Sequence, residues 1–119
     1  MPSNKYALKD SKGNMICAQT RIANNPFSRM KGLMFSQDLS GDDGLLIRPC
    51  NSIHTFFMRY SLDVIFLDKN FKVIKVIYDL KPWKMSWIYF KANQVLEMKD
   101  GTMRKDILEG EMLEAICIN

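Results

Sequence analysis

The stretch LDVIFLDKNFKVIKVIYDL, residues 62–80, sets the fold class. Two runs dense in β-branched and aromatic side chains flank DKN at 68–70. Such side chains are stiff at χ1 and pack well on a pleated surface, so both runs read as strands. Three intervening residues suit a hairpin turn.

The same punctuation extends outward in both directions. HTFFMR (54–59) follows GLLIRP (44–49) and reads as a further strand, as do QVLEM (94–98) and MLEAICI (112–118). Near the start, KYALKD (5–10) and NMICAQTRI (14–22) flank SKG (11–13) and predict a hairpin. NNPFSRMKGLM (24–34) carries the clearest helix signal: Asn25 can cap, Pro26 opens the first turn, and Phe27, Met30 and Met34 recur at helical spacing before or around Gly32. A second helical turn is expected at GTMRKDILEG (101–110). The sum is a mostly β (α+β) domain of roughly seven short strands with one or two short helices. A small barrel-like sheet, closed or nearly so, would hide its strand edges.

At 119 residues the chain is expected to form a single domain, 1–119, able to bury a core without staples. Cys17, Cys50 and Cys117 are odd in number and contain no CxxC pair, which removes zinc-ribbon and thioredoxin-type sites. Cys17 and Cys117 read as small core residues, and free thiols suit a reducing compartment. No apolar signal segment opens the chain, and MSWIYF (85–90) is too short to span a bilayer, so a cytoplasmic location is expected. The net charge of +4 is spread along the chain rather than gathered on a face, which argues against a nucleic-acid binder.

Four places carry candidate chemistry. Cys50 and His54, the only histidine, lie in CNSIHTFFM, which has strand composition. On a strand, residues four apart are about 13 Å apart, too far to share a metal or a proton. A reactive Cys50 thiol therefore requires a sharp bend at Asn51–Ser52. Asp63 sits between Leu62 and Val64 in an otherwise apolar run, so it should face solvent at the strand start or accept hydrogen bonds. Glu97 shares its side with Val95 and Lys99, the pattern of an ordinary solvent face. KPWKMSWIYFK (81–91) interleaves lysines with Trp83, Trp87, Tyr89 and Phe90 and reads as a loop closing over the core, a lid. The nine methionines scatter as core filler, and the nucleotide, hydrolase and metalloprotease signatures are absent, so no metal and no cofactor is implied.

RMKGLM (29–34), DGLLI (43–47), HTFFMRYSLDVIFLD (54–68), VLEMKDG (95–101) and ILEGEML (107–113) stand in a recognisable order. In that order the chain resembles the bacterial and archaeal family catalogued as domain of unknown function 192. The resemblance implies a compact, mostly β, barrel-like domain and marks Gly32, Met34, His54, Met58, Asp63, Glu97 and Gly110 as motif positions. Ser61, where proline is common, and Leu45, where a methionine often follows the glycine, depart from its pattern. It implies no activity.

These observations favour a non-enzymatic binding or accessory module, with no catalytic residues assigned. His54, Met58, Asp63 and Glu97 would hold a small molecule or peptide beneath a Trp83–Trp87 lid. One alternative is an enzyme using a Cys50–His54 nucleophile or metal site. Another is a protein–protein adaptor that makes contact through the Trp83–Trp87 loop.

Overall fold

The computed structural model describes residues 5–23, 43–56 and 58–118. Seven strands form one mixed sheet: β1 (Lys5–Lys9), β2 (Met15–Ala23), β3 (Gly44–Ile47), β4 (Leu62–Leu67), β5 (Val73–Leu80), β6 (Gln94–Lys99) and β7 (Glu114–Cys117). Their order across the sheet is β5-β4-β6-β3-β2-β1-β7.

The 62–80 stretch forms the expected hairpin of β4 and β5. Asp68 closes its turn: Oδ1 accepts the amides of Asn70 (2.8 Å) and Lys72 (2.9 Å). Asp10 does the same for the β1–β2 hairpin, accepting from Lys12 and Asn14, with Gly13 at φ +87° supplying the left-handed residue. A register shift in this hairpin lets both Ile16 and Cys17 turn inward, although consecutive residues of a regular strand point to opposite faces. β3 runs parallel to β2 but antiparallel to β6.

Both faces of the central strands are covered, because every residue of β3 and β4 is buried. One face packs Leu8, Leu46, Ile65, Leu67, Leu96 and Met98 beneath Met103, Ile107 and Leu113. The other packs Leu62, Val64, Phe66 and Val95 beneath Ile53, Met58 and Ala92. Gly44 is dictated by close approach, since a Cβ there would meet Cys17 Sγ at 2.8 Å and the Glu97 carbonyl oxygen at 3.1 Å.

Four expectations change. The sheet is open rather than a barrel, with β5 at one edge and β7 at the other. Residues 110–113 instead lie against the start of β5, through Val73 N–H to Glu111 O (2.8 Å) and Leu113 N–H to Phe71 O (2.9 Å), and the chain then leaves to pair with β1. Residues 101–110 form turns and no helix, held by side chains to other segments rather than by their own backbone. The described residues of HTFFMR yield one isolated bridge, His54 to Met85, instead of a strand. Cys117 is exposed on the edge strand β7, whereas Cys17 is buried as expected. The helix expected at 24–34 lies outside the described residues.

Candidate functional site

Two segments between strands form a surface together. Residues 51–55, after the cis Arg48–Pro49 bond, run beside residues 83–89. The Tyr89 amide donates to Asn51 O (2.9 Å), Ser86 N–H to Ile53 O (2.9 Å), and Trp83 N–H to Thr55 O (3.0 Å). Ile53 N–H returns a bond to Ser86 Oγ at 2.9 Å.

Thr55 is the fastener of this pairing. Fully buried, it donates its amide to Lys84 O (2.9 Å) and its hydroxyl to Lys81 O (2.5 Å), while Oγ1 accepts the Lys84 amide at 2.9 Å. Nothing in its local sequence distinguished it from an ordinary strand threonine.

The loop so fixed does not fold its large side chains inward. Trp83, Met85, Trp87, Ile88 and Phe90 are exposed, from 54% at Ile88 to 85% at Phe90. Tyr89 alone among the loop aromatics turns toward the core, its ring 4.6 Å from that of Phe66. His54 stacks on Phe56 (centroids 4.7 Å apart), and Phe56 on Trp83 (5.8 Å). The His54 Nδ1 accepts the Phe56 amide at 3.3 Å, leaving Nε2 as the ring's donor. His54 and Trp83 are therefore joined through Phe56, and Trp87 stands exposed further along the same loop.

The other candidates stand apart from it. Met58 is buried in the core beneath that surface. Asp63 is buried and takes up two backbone amides, Asp79 N–H on Oδ1 (2.9 Å) and Gly101 N–H on Oδ2 (3.0 Å). Both donors have left-handed backbones, φ +58° and +81°, so one carboxylate holds both the bulge near the end of β5 and the turn that follows β6.

Asp63 pairs across the sheet with Met98, and Glu97 with Val64, which puts the two acids on opposite faces. Glu97 is buried between Val64 and Leu45 rather than solvent-facing. Its Oε2 has no hydrogen-bond partner, and burial pushes the carboxyl up to about 8.

Cys50 lines an open depression of about 270 Å³ with Pro49, Asn51, Ser52, Ala92 and Asn93. Its Sγ lies 3.0 Å from Ser52 O, and its amide donates to Asn93 O. His54 does not line this depression. Among the described residues no group of three His, Cys, Asp or Glu could hold a metal. Elsewhere, Arg104 bridges Asp10 (2.8 Å) and Asp106 (2.8 Å), clamping the β1–β2 turn to the 101–110 segment.

An open, mixed seven-stranded sheet bearing an exposed aromatic loop defines a small β domain whose most distinctive surface is apolar. The chain belongs to the DUF192 family, described as Uncharacterized ACR, whose model matches residues 7–115. It is 38% identical over 97 residues to a UPF0127 protein of Pyrococcus horikoshii, covering 79% of this chain and 84% of that one. It is 34% identical over 111 residues to a UPF0127 protein of Pyrococcus furiosus, covering 90% and 95%. The fold is shared with two crystal structures. One is a Sinorhizobium meliloti protein designated a candidate transcription regulator (TM-score 0.74, 21% identity, 96% of this chain and 94% of that one). The other is a Novosphingobium aromaticivorans protein of unknown function (TM-score 0.73, 20% identity, 92% and 83%). The function of the family is not established, and no helix among the described residues is long and apolar enough to cross a membrane.

Proposed function

We propose that the chain is a non-enzymatic binding module whose contact surface is the 81–91 loop together with residues 51–56. One observation carries the reading: five large apolar side chains stand exposed on a loop whose backbone is fastened to its neighbour. Soluble chains rarely leave contiguous apolar patches without a use, and a pre-ordered loop loses little entropy on binding. Trp83, Trp87 and His54 are the contact residues, while Met58, Asp63 and Glu97 hold the frame that presents them. A peptide or a flat small molecule fits such a surface better than a deep pocket ligand, and the free thiols suit a cytoplasmic setting.

Both tryptophans lie in the loop, so intrinsic fluorescence reports on this surface alone. Titration with a panel of amphipathic peptides and with the apolar dye bis-ANS should shift the emission to the blue. A Trp83→Ala/Trp87→Ala variant should lose the dye-binding signal. Dye bound equally by that variant, read from the dye's own fluorescence, would move the contact surface elsewhere and overturn the reading.

A further inference from the structure

We infer that the 83–90 loop docks the protein on an anionic lipid–water interface; the inference rests on the contact-surface reading above and names its partner. The composition of the loop selects this partner. Trp83, Trp87 and Phe90 could stack on nucleic-acid bases, but exposed Met85 and Ile88 offer nothing to a base. Against acyl chains all five side chains gain, and tryptophan suits the headgroup level of a bilayer.

Charge points the same way. Between Asp79 and Glu97 there is no acidic residue, whereas Lys81, Lys84 and Lys91 are all exposed. Lys81 is paired with Asp79 at 2.7 Å, which leaves Lys84 and Lys91 as the cations beside the apolar tip. Basic residues next to an apolar face match a negatively charged leaflet.

The backbone supplies the third argument. A non-helical segment enters an apolar layer only if its own polar groups are satisfied within the protein. Here the amides of Trp83, Lys84, Ser86 and Tyr89 all donate to residues 51–55. The carbonyls of Lys81, Lys84, Trp87 and Tyr89 accept from Thr55, Ser86 and Ala92. The loop therefore carries these peptide groups to the interface already paired within the protein, so fewer must be stripped of water there.

The test is co-sedimentation of the full chain with sucrose-loaded vesicles. Pure phosphatidylcholine is compared with an equal mixture of phosphatidylcholine and phosphatidylglycerol. The wild type should pellet with the mixed vesicles, with a blue-shifted tryptophan emission, and salt should release it. Lys84→Gln/Lys91→Gln should weaken binding about thirtyfold at low salt, from about one kcal/mol per lysine. Trp83→Ser/Trp87→Ser should abolish it; both pairs are exposed, and an unchanged circular-dichroism spectrum and melting curve verify folding.

Indifference to both vesicles, or undiminished pelleting of the tryptophan variant, overturns the inference. If vesicles are ignored but peptides or dye still shift the emission, the contact surface survives and its lipid partner does not. If neither produces a shift, both readings fall. Concentration-dependent dimerisation that buries the tryptophans and excludes vesicles would assign the surface to a second copy of the chain and also sink the lipid inference.

Discussion

Replacing Glu97 by glutamine should remove a pH dependence that the wild type carries between pH 5 and pH 8. Burial between Val64 and Leu45 raises the carboxyl from 4.5 to about 8 in the folded state. Below the unfolded value the proton is bound in both states, and the group adds no pH dependence. As pH rises through the window, the unfolded chain releases its proton while the folded chain keeps it, so stability falls by up to about 1.4 kcal/mol per unit. Above the folded value the loss levels off.

From pH 5 to pH 7 the wild type should lose about 3 kcal/mol from this group, on the order of 2 M in urea midpoint. Glutamine is neutral throughout and nearly isosteric, so the variant should lack this fall, the difference between the two proteins should grow with pH, and the variant should be the more stable at pH 8. The downward-shifted carboxyls do not intrude. Asp10 is held down to about 2, first by the Asn14 amide; Asp79 is lowered by Lys81 and Asp106 by Arg104, and all three act below the window. Urea unfolding of both proteins at unit pH steps is the assay. Parallel profiles would show that Glu97 does not titrate between the two states and would refute the reasoning.

Three further perturbations probe the frame. Thr55→Val keeps the shape but removes the donor to Lys81 O and the acceptor for the Lys84 amide; a cost of about 1–3 kcal/mol and faster hydrogen exchange at Lys84 are expected. Asp63→Asn can accept fully at only one oxygen, so either Asp79 or Gly101 should lose amide protection, at a cost of about 1–3 kcal/mol in chemical denaturation. Gly44→Ala forces a methyl against Cys17 Sγ and should destabilise by about 1–3 kcal/mol in thermal melts, with Cys17→Ala recovering part of the loss.

The strands were legible where side-chain chemistry is local. The β-branched runs of 62–80 and the turns at 11–13 and 68–70 specify two hairpins, because register and turn lie within a few residues of each other. The parallel pairing of β2 with β3 was not legible, since a strand's own pattern says nothing about its partner's direction. Parity put Glu97 on the side of Val95 and Lys99, but it cannot tell whether that side is covered, and in the middle of the sheet it is. The aromatic loop was visible as composition; that it faces outward depends on hydrogen bonds from Thr55, some thirty residues earlier. Asp63 was recognisable as a carboxylate needing donors, yet its donors come from the bulge in β5 and the turn after β6, both distant in sequence.

β1 is held on one side by β2 and on the other by β7, and the amide of Ile118 donates to Lys5 O at 2.9 Å. Of the described strands, β1 must therefore wait for β7 to be synthesised before its outer edge is covered. During that interval Lys5 and Lys9 stand along a bare edge, and charged side chains of this kind discourage strands from neighbouring nascent chains from pairing there. The same meeting of early and late segments makes β1 and β7 natural neighbours for fusion. A short link from residue 118 to residue 5, with new ends opened in the Ser11–Gly13 turn, would convert the slow, long-range closure into a hairpin formed during synthesis.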